Sequence, residues 1–290
     1  MRKVALLLAS LGIMAAAYAE QPKLVVTNVG QEIEIENENG KQDYDQVNLF
    51  NNVGLKYGDW SFGLQAGKQW NVNLGDDSGI HSQNHRLQLD AWKKVTDDLK
   101  LGARFRGTSD YDRWYVRWDY NNGLLWSAGD VWYQAENKAD NGVAKDSLQF
   151  EVFPVGVQYG PVKVGYFLNY VEFLGNIDAK GQENYIEHQI RAYATLYKGE
   201  KLTVSTEGRF TLSSDKDMKD DAGYRTYDSF GRTRIYLGAD YKLTENLNVY
   251  AKYAYEFRDW KYEDGDHRSN YAGKGAENYQ DIIVGWNYKF

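Results

Sequence analysis

Hydrophobic and polar residues alternate with a period of two in stretches of about ten residues, the length a tilted strand needs to cross a bilayer. The final stretch shows it most clearly. Ile282, Val284, Trp286, Tyr288 and Phe290 share one face, and Asp281, Gly285, Asn287 and Lys289 share the other. Leu99, Leu101, Ala103 and Phe105 alternate with Lys100, Gly102, Arg104 and Arg106 in the same way. So do Leu247, Val249, Ala251, Tyr253, Tyr255 and Phe257 with Asn248, Tyr250, Lys252, Glu256 and Arg258. One face suits lipid and the other water.

Between these stretches the connections alternate in length. Short turns fall at Gly58-Asp59, Thr96 to Asp98, Asn121 to Gly123, Gly160-Pro161, Lys198 to Glu200 and Thr244 to Asn246. Longer loops run near 37–45, 71–83, 134–146, 172–184, 213–228 and 259–277, with a shorter one at 107–111. Short inner turns and longer outward loops are the habit of outer-membrane barrels, and they predict an all-β, antiparallel, up-and-down barrel with both termini periplasmic. Fourteen strands are expected near 31–37, 46–57, 60–70, 84–95, 99–106, 112–120, 124–133, 147–159, 162–171, 185–197, 201–212, 230–243, 247–258 and 279–290. The first is the weakest, because Ile33 and Ile35 alternate with Glu32, Glu34 and Glu36; without it the count is twelve. Asp130 shares a face with Trp126, Ala128 and Trp132, which reads as lipid-facing and requires a rim position or a bulge.

The amino terminus adds a destination. Arg2 and Lys3 precede an apolar run from Val4 to Ala17 and a small-x-small site at Ala17-Tyr18-Ala19, so residues 1–19 read as a cleaved signal and 20–290 as the barrel. Composition agrees with export into a lipid-embedded sheet. Tyrosine numbers 24, tryptophan 9 and phenylalanine 11, against 3 prolines and no cysteine, so no disulfide or thiolate chemistry enters. The net charge of −7, more negative once Arg2 and Lys3 leave, excludes a nucleic-acid partner, which calls for a basic footprint.

Candidate chemistry lies on the inward faces. Arg86, Lys100, Arg104, Arg106, Arg113 and Arg117 fall on consecutive strands and form a candidate basic wall. Arg191, Arg209, Arg232 and Arg234 follow further round, while Glu32, Glu34, Glu36 and Asp281 supply carboxylates from the first and last strands. Charged residues facing each other across a lumen bias which ions pass, although many such charges only pair with a neighbour across the sheet. Aromatic residues near strand ends (Tyr57, Trp60, Tyr120, Trp126, Trp286, Tyr288 and Phe290) suit a headgroup girdle. The glycines Gly63, Gly67, Gly102 and Gly238 read as gaps in the lumen face or as bends. His81-Ser82-Gln83-Asn84 invites comparison with outer-membrane hydrolases that use His, Ser and Asn, but adjacency in a loop does not orient a Ser-His pair. No metal-ligand spacing or cofactor motif appears, so no catalytic, metal or cofactor residue is assigned.

With its signal, its alternating strands and its ending Trp286-Asn287-Tyr288-Lys289-Phe290, the chain resembles a Gram-negative outer-membrane porin. That resemblance implies passive diffusion of small polar solutes through the lumen, contact with outer-membrane lipid and lipopolysaccharide, and recognition of the last strand, ending in Phe290, by the barrel-assembly machinery. A homo-oligomer is compatible with it. The tyrosine-rich, acidic style and stretches such as Leu247 to Lys261 are similar to the fusobacterial major outer-membrane porins, from which the short segment between signal and barrel departs. Oligogalacturonate-specific porins also resemble the chain in tyrosine content and arginine-lined lumen, on a barrel of twelve strands. A surface adhesin and a barrel hydrolase are the competing classes.

Overall fold

The computed structural model describes residues 22–39, 44–73, 79–137, 146–174, 182–218, 224–259, 261–263 and 277–290. The expected signal, residues 1–19, lies outside them. The strands are β1 Val25–Asn39, β2 Tyr44–Tyr57, β3 Trp60–Asn73, β4 Gly79–Lys94, β5 Leu99–Thr108, β6 Tyr111–Asn121, β7 Leu125–Glu136 and β8 Ser147–Tyr159. They continue as β9 Val162–Phe173, β10 Gln182–Lys198, β11 Leu202–Met218, β12 Tyr224–Thr226, β13 Arg232–Lys242, β14 Leu247–Arg258, β15 Lys261–Glu263 and β16 Glu277–Lys289. Fourteen of them close into one antiparallel barrel, each beside its neighbours in sequence. The short β12 and β15 pair with each other as a two-stranded ribbon between two of the long loops.

Closure falls on the strand with the weakest sequence pattern. β1 begins six residues earlier than the alternation suggested and pairs with β2 on one side and β16 on the other, so the count is fourteen and not twelve. Glu36 stands opposite Asp281 and Ile35 opposite Ile282, which turns the carboxylates inward and leaves Ile33, Ile35 and Ile282 exposed outside. The last backbone amide, Phe290 N–H, donates to Thr27 C=O at 3.1 Å.

The exterior is apolar all round: Leu64, Leu101, Val116, Val155, Val157, Leu237, Val284 and Trp286 are among the exposed large side chains. The interior holds the charges. A closed sheet leaves no unpaired backbone edge, and with lipid-compatible residues outside and ionised ones inside it is a membrane-spanning barrel of the bacterial outer membrane.

One face assignment reverses. Trp126 and Trp132 on β7 are 3% and 4% exposed and point into the lumen, and Asp130 between them faces inward too. Leu125, Val131 and Tyr133 form the lipid face of that strand, and Trp126 therefore leaves the girdle while Trp60, Trp286, Tyr288 and Phe290 stay exposed outside. Hydrophobicity misleads here because a lumen built of arginines and glycine gaps accommodates aromatic rings as readily as lipid does. A bulge does lie close by, but on β8, where register shifts against both neighbours flank Phe153-Pro154. Proline has no N–H to give a ladder, so the bulge is where a central strand tolerates it.

The Trp126 ring rests on Gly156 of β8 and Gly165 of β9, where an added Cβ would come within 2.1 Å and 2.4 Å of it. Gly165→Ala is therefore expected to push Trp126 off the wall and destabilise the barrel by about 1–3 kcal/mol. An unchanged urea midpoint for the refolded variant would contradict that packing.

Candidate functional site: the charged lumen

Alternation carries all fourteen sequence candidates to the inner face, but the structure sorts them into four environments. The first is a four-charge cluster. Arg104 Nε donates to Asp90 Oδ1 at 2.6 Å, Arg117 Nη1 to the same oxygen at 2.7 Å, and Arg117 Nε to Asp130 Oδ1 at 2.6 Å. Arg104 Nη1 lies 3.8 Å from Asp130 Oδ2. Two guanidinium groups and two carboxylates cancel, so this half of the expected wall adds little net charge to the lumen. Lys100, nearer the turn end, lies 4.0 Å from Asp119 with both side chains about half exposed.

The second environment is the uncompensated half of the same wall. Arg106 Nε donates to Gln88 Oε1 at 2.8 Å, Arg113 Nε to Gln134 Oε1 at 2.6 Å, and the Arg86 guanidinium sits 4.6 Å from the Phe50 ring centroid. Tyr115, 5% exposed, lies beneath Arg104 and Arg106. Among the described residues no carboxylate lies within ion-pair distance of Arg86, Arg106 or Arg113. Amide and aromatic partners hold these three in place and leave their charge unneutralised.

Across the sheet lies a second arginine belt. Glu256, 1% exposed, accepts from Arg234 Nε and Arg258 Nε at 2.5 Å each, and Arg232 Nε lies 3.2 Å away. Arg232 also reaches Glu187 Oε2 at 3.3 Å, and Glu187 accepts from Thr211 and Gln189. Arg209 is held by Glu207 at 2.6 Å over the Tyr236 ring. Arg191 differs: its Nε donates to Gln189 Oε1 at 2.8 Å and its guanidinium carbon lies 3.3 Å from the Phe167 ring centroid.

The carboxylates expected from the first and last strands form an acidic seam, because β1 and β16 are neighbours. Tyr250 donates to Glu32 and Tyr279 to Glu36, each at 2.8 Å, and Asn48 Nδ2 to Glu34 at 3.1 Å. Asp281 is 4% exposed, and its Oδ1 has no hydrogen-bond partner among the described residues.

Open space follows the β9–β14 side. A cavity of about 640 Å³ at the turn end is lined by Pro161, Lys163, Tyr193, Arg209 and Lys252, and reaches Glu34 and Asp281 on the seam. A second, of about 300 Å³, shares Arg209 with the first and Arg232 with a third of about 380 Å³ at the loop end. Tyr227, 5% exposed, packs beside Arg232 on the inner side of the β11–β13 connection and so narrows the loop end.

Sequence reading missed Gln88, Asp90, Asp130, Glu187 and Glu207, which decide which arginines stay charged toward the lumen, and Glu151, which pairs with none of them. The available signal was spacing: Arg86, Gln88 and Asp90, like Glu207 and Arg209, lie two apart on one strand and so on one face. The His81-Ser82-Gln83-Asn84 segment serves the rim. Asn84 accepts from Ser109 N–H at 2.9 Å and donates to Asp110 at 2.6 Å, pinning the short β5–β6 loop, while His81 and Ser82 are exposed. His188 stands on the outer face in a hydrogen bond with Tyr166.

No protein-family profile matches the chain, and no curated protein matches it. Among solved structures it is similar to the anion-selective porin from Comamonas acidovorans, at 14% identity and a TM-score of 0.46 over 92% of this chain and 100% of that one. It is likewise similar to the CymD monoaromatic hydrocarbon channel, at 9% identity and a TM-score of 0.49 over 93% of this chain and 89% of that one. OmpT, an outer membrane protein of Vibrio cholerae, matches at 15% identity and a TM-score of 0.45 over 94% and 100%. In each case the likeness is one of barrel outline.

Proposed function

We propose that the barrel is a porin through which small hydrophilic solutes diffuse, with a bias toward anionic or sugar-like ones. The observation that carries the reading is the series of three cavities that share Arg209 and Arg232 in their linings, across the lumen from a wall where Arg86, Arg106 and Arg113 keep their charge. Interior side chains just fill an eight-stranded barrel, and fourteen strands enclose more than that. Tight turns face the periplasm and long loops face outward in this reading, and β16, followed directly by Phe290, is the strand offered to the assembly machinery.

Of the two families the sequence resembles, the fourteen strands fit the oligogalacturonate-specific porins less well than the fusobacterial ones, since the former resemble the chain on a twelve-stranded barrel. The test is purified protein in a planar bilayer. Stepwise, uniform conductance increments with a reversal potential on the anion side are expected; a silent bilayer containing correctly folded protein would remove the proposal.

A further inference from the structure

The middle cavity, of about 300 Å³, contains two charged side chains left over from the ion-pair network around it. Glu187 and Glu256 are engaged by Arg232 and Arg234, and Arg209 by Glu207. Arg191 has the Gln189 carbonyl at Nε, the Tyr193 hydroxyl beside it and the Phe167 and Phe153 rings about its guanidinium group. That arrangement fixes its plane and leaves the Nη edge without a carboxylate among the described residues. Glu151 lines the same cavity, and among the described residues it accepts one hydrogen bond, of 3.4 Å, from Gln149 Nε2. No ion pair joins Arg191 and Glu151, although both border one small space. Arg191 is half-buried and Glu151 open to the lumen, and neither has a counter-charge at ion-pair distance among the described residues.

From this we infer that the middle cavity is a binding site for a small zwitterion of the α-amino acid type, its carboxylate on Arg191 and its ammonium on Glu151. A plain carboxylate would satisfy Arg191 and leave Glu151 facing a second negative charge. A plain amine would do the reverse, and an uncharged sugar would neutralise neither. Only a ligand carrying both signs a few ångströms apart settles both groups at once. The volume lies at the lower end for ligand pockets, which suits a molecule of that size. The inference adds a named substrate class to the porin reading and rests on it for the passage of that substrate, but not for its binding.

The two are therefore measured separately. Binding is read by saturation-transfer NMR on the detergent-solubilised barrel, with L-alanine, propionate and ethylammonium as probes; transport is read by bilayer conductance. Alanine is expected to bind about tenfold more tightly than either single-charge probe, one charge-assisted hydrogen bond being worth roughly that factor. Glu151→Gln should weaken alanine about tenfold while leaving propionate unchanged or tighter, and Arg191→Gln should weaken both. Glu151 joins no ion pair, so its isosteric replacement leaves the barrel's salt-bridge network whole, and the wild-type comparison needs no variant. Propionate binding as tightly as alanine, or alanine affinity indifferent to Glu151→Gln, would overturn the inference. Retained alanine binding by a barrel that does not conduct would overturn only the porin reading.

Discussion

Glu256→Gln is expected to lower the stability of the folded barrel by about 3–5 kcal/mol, toward the lower figure where lumen water screens the exposed guanidinium edges. The carboxylate is 1% exposed and holds Arg232, Arg234 and Arg258 at 3.2, 2.5 and 2.5 Å. A neutral amide of the same shape keeps one acceptor oxygen but no charge, so Arg232, Arg234 and Arg258 on β13 and β14 lose the carboxylate they share. Glu187 relieves only Arg232, at 3.3 Å. Asp119→Asn supplies the comparison, because the Lys100 pair at 4.0 Å is half exposed and such pairs contribute about 0–1 kcal/mol. Urea unfolding in detergent, followed by tryptophan emission, should show a clear drop in midpoint for Glu256→Gln and almost none for Asp119→Asn. Equal midpoints would mean that the glutamate is an ornament of the lumen and not the hub of its second belt.

The barrel was legible because a closed membrane sheet imposes one rule on nearly every residue: alternate, with the apolar set outside. β16, β14 and β5 follow it almost throughout, with Ile283 and Ala254 as apolar residues on the inner face. β1 escaped at its start because Val25 and Val26 extend the strand beyond the glutamates that made it look short. Its closure with β16 depends on the rest of the sheet, not on its own pattern. β7 misleads because Trp126 and Trp132 read as lipid-facing in sequence, whereas glycines on β8 and β9 provide a socket for Trp126 and the Arg113 guanidinium lies 5.4 Å from the Trp132 ring centroid.

The site was legible only in outline. Which residues face inward follows from parity, but which charges remain free depends on pairing between strands and on reach along each side chain. Arg104 and Arg106 look equivalent in sequence, two residues apart on one face. The register sets Arg104 opposite Asp90 and Arg106 opposite Gln88, so a carboxylate neutralises the first and an amide merely orients the second. That difference of one partner separates a structural arginine from one the passing solute meets as a charge.

It also tells which arginines to remove in a test of selectivity. Neutralising Arg86, Arg106 and Arg113 together to Gln should shift the reversal potential in a KCl gradient toward the cation side and lower the chloride-to-potassium permeability ratio by about threefold or more. One charge at about 4 Å in water is worth about 1 kcal/mol, or roughly fivefold in ion partition, and salt with a Debye length of about 10 Å at 0.1 M removes part of it. None of the three sits in a described ion pair, so their loss leaves no carboxylate orphaned and the barrel should refold normally. The seam of Glu32, Glu34, Glu36 and Asp281 then dominates the lumen field, which gives the shift its sign. The paired variant Arg104→Gln with Arg117→Gln should behave otherwise, because it strands Asp90 and Asp130 and so reduces stability as well as anion preference. If the triple variant conducts with the wild-type reversal potential, ions do not pass within reach of these guanidinium groups, and the conducting path runs along the β9–β14 cavities alone.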